Sequence, residues 1–330
     1  MRRLIYIFII GLLLCSYTWA DGSRYASKSL LSEGKWVKIR VDKTGIYKLS
    51  YADLKNMGFS DPSKVSVHGY GGWPLDEDFS KEYIDDVPST PVWCGSDYLL
   101  FYGKGPVKWE YDSSSQTFVH TNNPYSLYGY YFVTDATPTN DMTSVAQASG
   151  ATNRITTYDD YLVHEQELVS LAKSGRELYG EDFSGATPRT LSTFSSIPGI
   201  TNEDAKVTMS FVSKVTSGTG VASLSINQSN VLDVSIRSNR EEYVKALEGV
   251  STAVWKGEKS EKNSVVVSYN SASHNNVRLN YVRLHFKRTL QPYGAYTFFR
   301  SIASIGNVSR FVVQGANANT LVFDVTDAQR

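Results

Sequence analysis

Cysteine is scarce in this chain: 330 residues carry two, Cys15 and Cys94. A disulfide-stapled mini-domain is therefore excluded, and stability has to come from a hydrophobic core. An excess of either charge is also missing. The 33 Lys and Arg residues balance 33 Asp and Glu residues, and no Lys/Arg run occurs. Such a chain has no footprint for nucleic acid and no polybasic membrane patch. No segment approaches the roughly eighteen consecutive apolar residues of a membrane-spanning helix. Absent too are an HExxH motif, a paired-cysteine metal spacing, a G-x-S-x-G nucleophile turn and any tandem repeat.

What is present begins at the N-terminus. Arg2 and Arg3 precede an apolar run from Leu4 to Leu14, and Thr18-Trp19-Ala20 supplies small residues at −3 and −1. Basic start, short apolar core and small-residue exit describe a secretory signal peptide over residues 1–20. Two alternatives stay open, a buried helix of the folded domain and a lipid anchor at Cys15. Leu14 stands where a small residue precedes a lipidated cysteine, which argues against the anchor. Cleavage after Ala20 leaves 31 basic against 33 acidic residues, and Cys94 as the one remaining thiol. About 310 residues are enough for two domains.

The remaining chain reads as mainly β. It is rich in Tyr, Phe, Val, Thr and Ser, with aromatics at 13%. Trp36–Val41 and Lys206–Phe211 alternate with period two. Val277–Phe286 alternates with one shift at Tyr281-Val282, which predicts a bulge. Further strands are expected at 65–67, 98–102, 130–134, 221–226, 231–236, 264–269, 311–314 and 321–325. Ser50-Tyr51-Ala52-Asp53 reads as a capping box opening a short helix that stops at Gly58. A second helix is expected over Tyr161–Lys173, although Tyr158–Val163 reads equally well as extended. The polar stretch Thr137–Thr152 marks a boundary. The expected layout is an N-terminal β domain over 24–150, a connecting segment over 151–184 and a jelly-roll-type β-sandwich over 185–290. Final strands follow over 291–330.

Chemistry-bearing residues are few. Cys94 could serve as a nucleophile with one of His68, His120, His164, His274 or His285, but no base stands beside it in sequence. Asp76, Glu77, Asp78, Glu82, Asp85 and Asp86 could hold Ca²⁺, yet they lack the spacing and central glycine of a calcium loop. His164-Glu165 is a packing pair or a dyad. Trp73, Trp93, Trp109, Tyr125, Tyr128, Tyr130 and Tyr131 could line a carbohydrate groove or serve as core and sheet-face residues. No catalytic, cofactor-binding or metal-ligating residue is assigned.

Four segments in order carry a resemblance. The first is Gly34–Val41 with Thr44–Leu54, Asp61–Val65 and Gly69–Gly72. The second is Asp97–Pro106 with Trp109 and Tyr130–Val133, and the third is His164-Glu165 with Ser174–Phe183. The fourth is Val277–Leu290 with Phe323–Asp327. Together they resemble the N-terminal portion of the PorU-like sortases of the type IX secretion system, which are gingipain-like cysteine peptidases. In that family the catalytic Cys and His lie in a caspase-like domain after the Asp-Val-Thr-Asp segment, here Asp324–Asp327. This chain ends at Arg330, so no catalytic residue carries over and residues 291–330 are expected to form the junction to that domain.

The resemblance implies a non-catalytic module of an enzyme that removes the C-terminal signal of secreted cargo and attaches cargo to the cell surface. It implies as partners an outer-membrane β-barrel and cargo C-terminal signal domains. The location would be the periplasm or outer-membrane surface of a Gram-negative bacterium. Arg176, near Glu165, Glu177 and Glu181 in sequence, suits a bidentate carboxylate pair or partner recognition. Two other functions stay open, a free-standing carbohydrate-binding or adhesion sandwich and a cysteine hydrolase using Cys94.

Overall fold

Alternating side chains fold the described residues into a mainly β structure, whose strands pair antiparallel apart from one short parallel pair. The computed structural model describes residues 25–78, 80–81, 84–173 and 175–328. The signal-peptide and lipid-anchor readings over residues 1–20 lie outside these, as do Glu82 and Ser174. Two units emerge, one holding residues 25–107, 126–143 and 324–328, the other 108–125 and 144–323.

The strands of the first stretch are β1 (Trp36–Val41), β2 (Gly45–Ser50), β3 (Ser66–Gly71), β4 (Ser89–Thr90), β5 (Val92–Cys94) and β6 (Tyr98–Gly103). A hairpin of β7 (Val107–Asp112) and β8 (Thr117–Asn122) precedes β9 (Gly129–Thr134). In the first unit β1-β9-β3-β4 form one sheet and β2-β6-β5 another. Their core is Val41, Leu54, Phe59, Val67, Phe101, Tyr131 and Val133, all buried. The helix α1 (Tyr51–Asn56) starts as expected, because the Ser50 hydroxyl accepts the Asp53 N–H at 3.0 Å. Leu54 anchors it in the core, and Gly58 at φ +89 turns the chain out of it.

The second unit contains β10 (Asn153–Ile155), β11 (Thr157–Glu165), β12 (Arg189–Thr190), β13 (Ala205–Lys214) and β14 (Thr219–Ile226). It continues with β15 (Ser229–Arg237), β16 (Leu247–Trp255), β17 (Val265–Tyr269), β18 (Asn275–Thr289) and β19 (Ser309–Phe311). Strand pairs nest: β14 with β15, β13 with β16, β12 with β17, and β11 with β18. Wound up, they give two four-stranded sheets, β11-β18-β13-β16 and β12-β17-β14-β15. This is the jelly roll, closed over Phe183, Phe194, Met209, Phe211, Leu224, Val267, Leu279 and Phe286.

The expected bulge is real. Ser210 faces Tyr281 while Phe211 faces Leu279, so Asn280 is the extra residue. It lets Leu279 and Val282 both point inward although they are three positions apart.

Two expectations are corrected. Residues 161–173 do not form a helix: Thr157–Glu165 pair residue by residue with β18, from Thr157 opposite Thr289 to Glu165 opposite Tyr281. Cross-strand pairing outweighs the helical spacing of Val163, Leu168 and Leu171, and Leu168 is exposed. Leu321–Val325 carry no strand. Strands β7, β8 and β16 were not anticipated, although Val107, Trp109 and Tyr111 alternate with Lys108, Glu110 and Asp112.

Candidate functional site

A group of titratable side chains lies on the outer face of the sheet β11-β18-β13-β16. Tyr161, Glu165, Tyr281, Arg283 and His285 occupy one face because they alternate along paired strands. The β7–β8 hairpin is laid across them. Its turn opens with Asp112, whose carboxylate accepts from Ser114 and Ser115 hydroxyls and amides, which pulls its pKa down to about 2. Trp109 stacks on Tyr161 at 3.8 Å, and Phe118 meets the His285 ring edge-on.

Under the hairpin, a hydroxyl, an imidazole and a carboxylate line up. His285 Nε2–H donates to Asp159 Oδ1 at 3.1 Å, and its Nδ1 lies 3.1 Å from Thr117 Oγ1. Asp159 also accepts from Lys287 Nζ at 2.8 Å and from the Ile302 N–H at 2.7 Å. Burial alone would raise this carboxyl, but the bonds from His285, Lys287 and Ile302 outweigh it and hold the pKa below the ordinary aspartate value. The order matches a nucleophilic triad, yet Thr117, His285 and Asp159 are all buried. A hydroxyl that no substrate reaches is a fastener, and the hairpin is what it fastens.

A second fastener sits beside it. His120 Nε2–H donates to Glu165 at 2.9 Å, and Arg283 donates to His120 Nδ1 at 3.2 Å. Asn122 adds a bond to the same Glu165 oxygen at 2.7 Å. His164 turns the other way, donating to Glu181 at 2.6 Å and facing Thr193 at 2.8 Å. His164 and Glu165 are therefore not a dyad, because neighbours on a strand point to opposite faces.

Arg176 is exposed, with its guanidinium 5.8 Å from the Tyr125 ring centre. Of the carboxylates near it in sequence, Glu165 accepts from His120 and Asn122, Glu177 from Asn280 and Glu181 from His164.

Cys94 closes β5, and a turn from Gly95 to Tyr98 leads into β6. Burial, and then the charge of Asp141, push its thiol above the ordinary value. That is the reverse of an activated nucleophile, which needs its thiolate stabilised. All five histidines are engaged elsewhere, His68 with Val87 and Thr137, and His274 with Tyr269. Cys94→Ala is expected to change unfolding stability by less than about 0.5 kcal/mol, read from denaturation curves. A larger loss would show packing that the exposed position does not suggest.

Carboxylates of the acidic stretch are engaged by its own loop and by the segment 26–30. Asp76 pairs with Lys81, Asp86 accepts from Ser29 and Leu30, and Asp85 from Ala26. Among the described residues no three His, Cys, Asp or Glu side chains are placed to hold a metal. The candidate groove aromatics are dispersed. Trp109 and Tyr125 belong to the second unit, while Tyr131 is buried in the first. Tyr128 and Tyr130 are covered by Arg40 and Lys38. The second unit has a cleft of about 450 Å³ lined by Asn227, Asn230, Trp255, Lys256 and Glu258, none of them singled out by the sequence.

No family model and no curated protein matches this chain. Among solved structures, that of dimeric latent PorU from Porphyromonas gingivalis matches with a TM-score of 0.82 and 32% identity, over 89% of this chain and 28% of that one. BuGH86wt in complex with neoagarooctaose covers 77% of this chain and 32% of its own at 10% identity, with a TM-score of 0.23. An isomalto-dextranase of Arthrobacter globiformis T6 complexed with panose covers 76% and 34% at 9% identity and 0.22. The chain is thus similar in fold and in sequence to a part of the PorU-like sortases of type IX secretion, a part amounting to 28% of the crystallised protein.

Proposed function

We propose that this chain is a non-catalytic module of a type IX secretion sortase, which positions a peptidase domain and meets the outer-membrane β-barrel and cargo signal domains. The observation that carries this reading is the match to PorU along 89% of the chain. The side-chain chemistry agrees. Cysteine catalysis needs a thiolate, a base and donors for an oxyanion. Cys94 has a raised thiol pKa, and each histidine is committed to another partner. In this reading the chain is exported and acts in the periplasm or at the outer-membrane surface.

A chimera tests it. In a host lacking PorU, a PorU whose matched part is replaced by this chain should restore removal of the cargo C-terminal signal. The chain alone should not, and in purified form it should read at background in a peptidase assay. A chimera that is exported and intact but inert would sink the module reading. Turnover by the chain alone, lost in Cys94→Ala, would favour the hydrolase.

A further inference from the structure

A buried tryptophan N–H usually finds an acceptor inside the protein, so one that opens on a cleft instead is a binding group. Trp255 ends β16 with its ring in the jelly-roll core, and it is 5% exposed. Its Nε1–H meets no acceptor among the described residues, and Trp255 lines the cleft of about 450 Å³. Gly257, on the same wall, keeps the N–H uncovered. A Cβ there would lie 3.0 Å from Nε1 and 3.5 Å from Cδ1 of the indole, and would cap it. Gly257 is not among the residues at positive φ, so backbone conformation is not what asks for glycine at this position. Lys259 fixes both groups. Its Nζ lies 5.1 Å from the Trp255 ring centre and donates to Gly257 O at 3.2 Å. Lys259 is itself buried, with its N–H donating to Asn202 Oδ1 at 3.1 Å.

The other polar groups of the cleft are mixed in character. Lys256 and Glu258 flank Gly257 and cancel in charge, so a bare anion or cation gains little. Asn230 spends its amide N–H groups on Asp233, at 3.3 Å to either oxygen, and keeps Oδ1 as an acceptor. The lip is held in place, because Asn227 donates to Asn263 Oδ1 at 3.1 Å and accepts the Ser264 N–H at 2.9 Å. Val231 and Val254 supply apolar wall. We propose that this cleft binds a neutral saccharide, with the Trp255 N–H and Lys256 as donors and Glu258 and Asn230 as acceptors. A sugar hydroxyl donates and accepts at one atom, and the C–H faces between hydroxyls suit the valines. An extended peptide is held chiefly by main-chain pairing along a strand edge, whereas here the polar groups are side chains. Groups fixed before the ligand arrives lower the ordering cost of binding. The cleft lies wholly in the second unit, and its role does not rest on the module reading.

The indole resonance of Trp255 reads the site directly. In the full chain its Nε1–H cross-peak, assigned by its loss in Trp255→Phe, is followed while maltose, cellobiose, lactose and mannobiose are added in turn to about 10 mM. At least one of these sugars should shift the peak saturably. Gly257→Ala caps the N–H and should weaken that sugar about tenfold with an unchanged unfolding midpoint. Glu258→Ala, at an exposed position, should weaken it about fivefold, and it reads the same site should Gly257→Ala disturb the packing. No shift with any of the sugars, or a shift that both variants leave unchanged, overturns the proposal. So does a shift produced by an unstructured polar peptide and by none of the sugars, or one that sodium sulfate reproduces, since the cleft would then take a peptide or an anion.

Discussion

Asp159→Ala is expected to cost about 3–5 kcal/mol of unfolding free energy, because it strips a buried carboxylate from donors that have no substitute acceptor. Asp159 is 1% exposed. Its two oxygens take His285 Nε2, Lys287 Nζ and the Ile302 N–H, so one side chain ties β11, β18 and the segment after Arg300. Its backbone joins in, with the Asp159 N–H donating to Arg300 O at 2.9 Å and Arg300 Nη1 donating to Asp159 O at 3.2 Å. The sign of the pH effect follows from the lowered carboxyl pKa. A depressed folded-state pKa gives stability that is present above the unfolded value, about 3.9, and is lost as pH falls through the folded value. The gap between wild type and Asp159→Ala should therefore be full at pH 7 and shrink in acid below about pH 4. His68 adds its own acid sensitivity in the first unit, since burial lowers its pKa, but it is common to both proteins and cancels in the difference. Urea unfolding at neutral and acid pH measures both quantities. A cost under about 1 kcal/mol, or a gap that stays constant into acid, would show that the network adds little.

That hub marks the limit of what the sequence displays. Strands whose one face is wet and the other dry announce themselves, as Val231–Ile236 does, and Ser50 with Asp53 announces α1. The bulge beside Tyr281 is legible because a change of phase in the alternation has only that explanation. Strand β11 is not legible in the same way. Its outward residues are covered by the hairpin, so Tyr161 and Asp159 are hidden on the face that ought to be wet. The hairpin is the reason, and it is a non-local one: residues 108–125 leave the first unit's sequence to serve the second. No local pattern encodes that choice. The candidate site suffers likewise, because five scattered histidines acquire meaning only through partners as distant as Thr117 and His285.

The glycines of Gly69-Tyr70-Gly71-Gly72 carry the second large expectation, that Gly71→Ala costs about 2–4 kcal/mol. At φ +86 an L side chain is strained before any contact is considered. A Cβ placed there would then lie 2.4 Å from Lys104 O, 2.7 Å from Lys104 Cβ and 2.8 Å from Tyr131 Oη. None of these neighbours can step aside cheaply. Lys104 O accepts the Gly72 N–H at 2.9 Å, and Tyr131 Oη accepts the Lys104 N–H at 2.9 Å. Tyr131 itself is 2% exposed and packed edge-on against Phe101 in the first unit's core. The crowding recurs at Gly129, whose added Cβ would meet the same Lys104 carbonyl at 2.4 Å, so three chain segments converge where only hydrogen fits. Gly218→Ala separates the two causes. It has φ +74 with nothing within 4 Å, and should show the conformational penalty alone, about 1 kcal/mol. Denaturation midpoints for the two variants, with amide exchange at Gly72 and Lys104, read the difference. Equal costs would mean that backbone conformation, and not the close approach of Lys104, is what requires glycine at position 71.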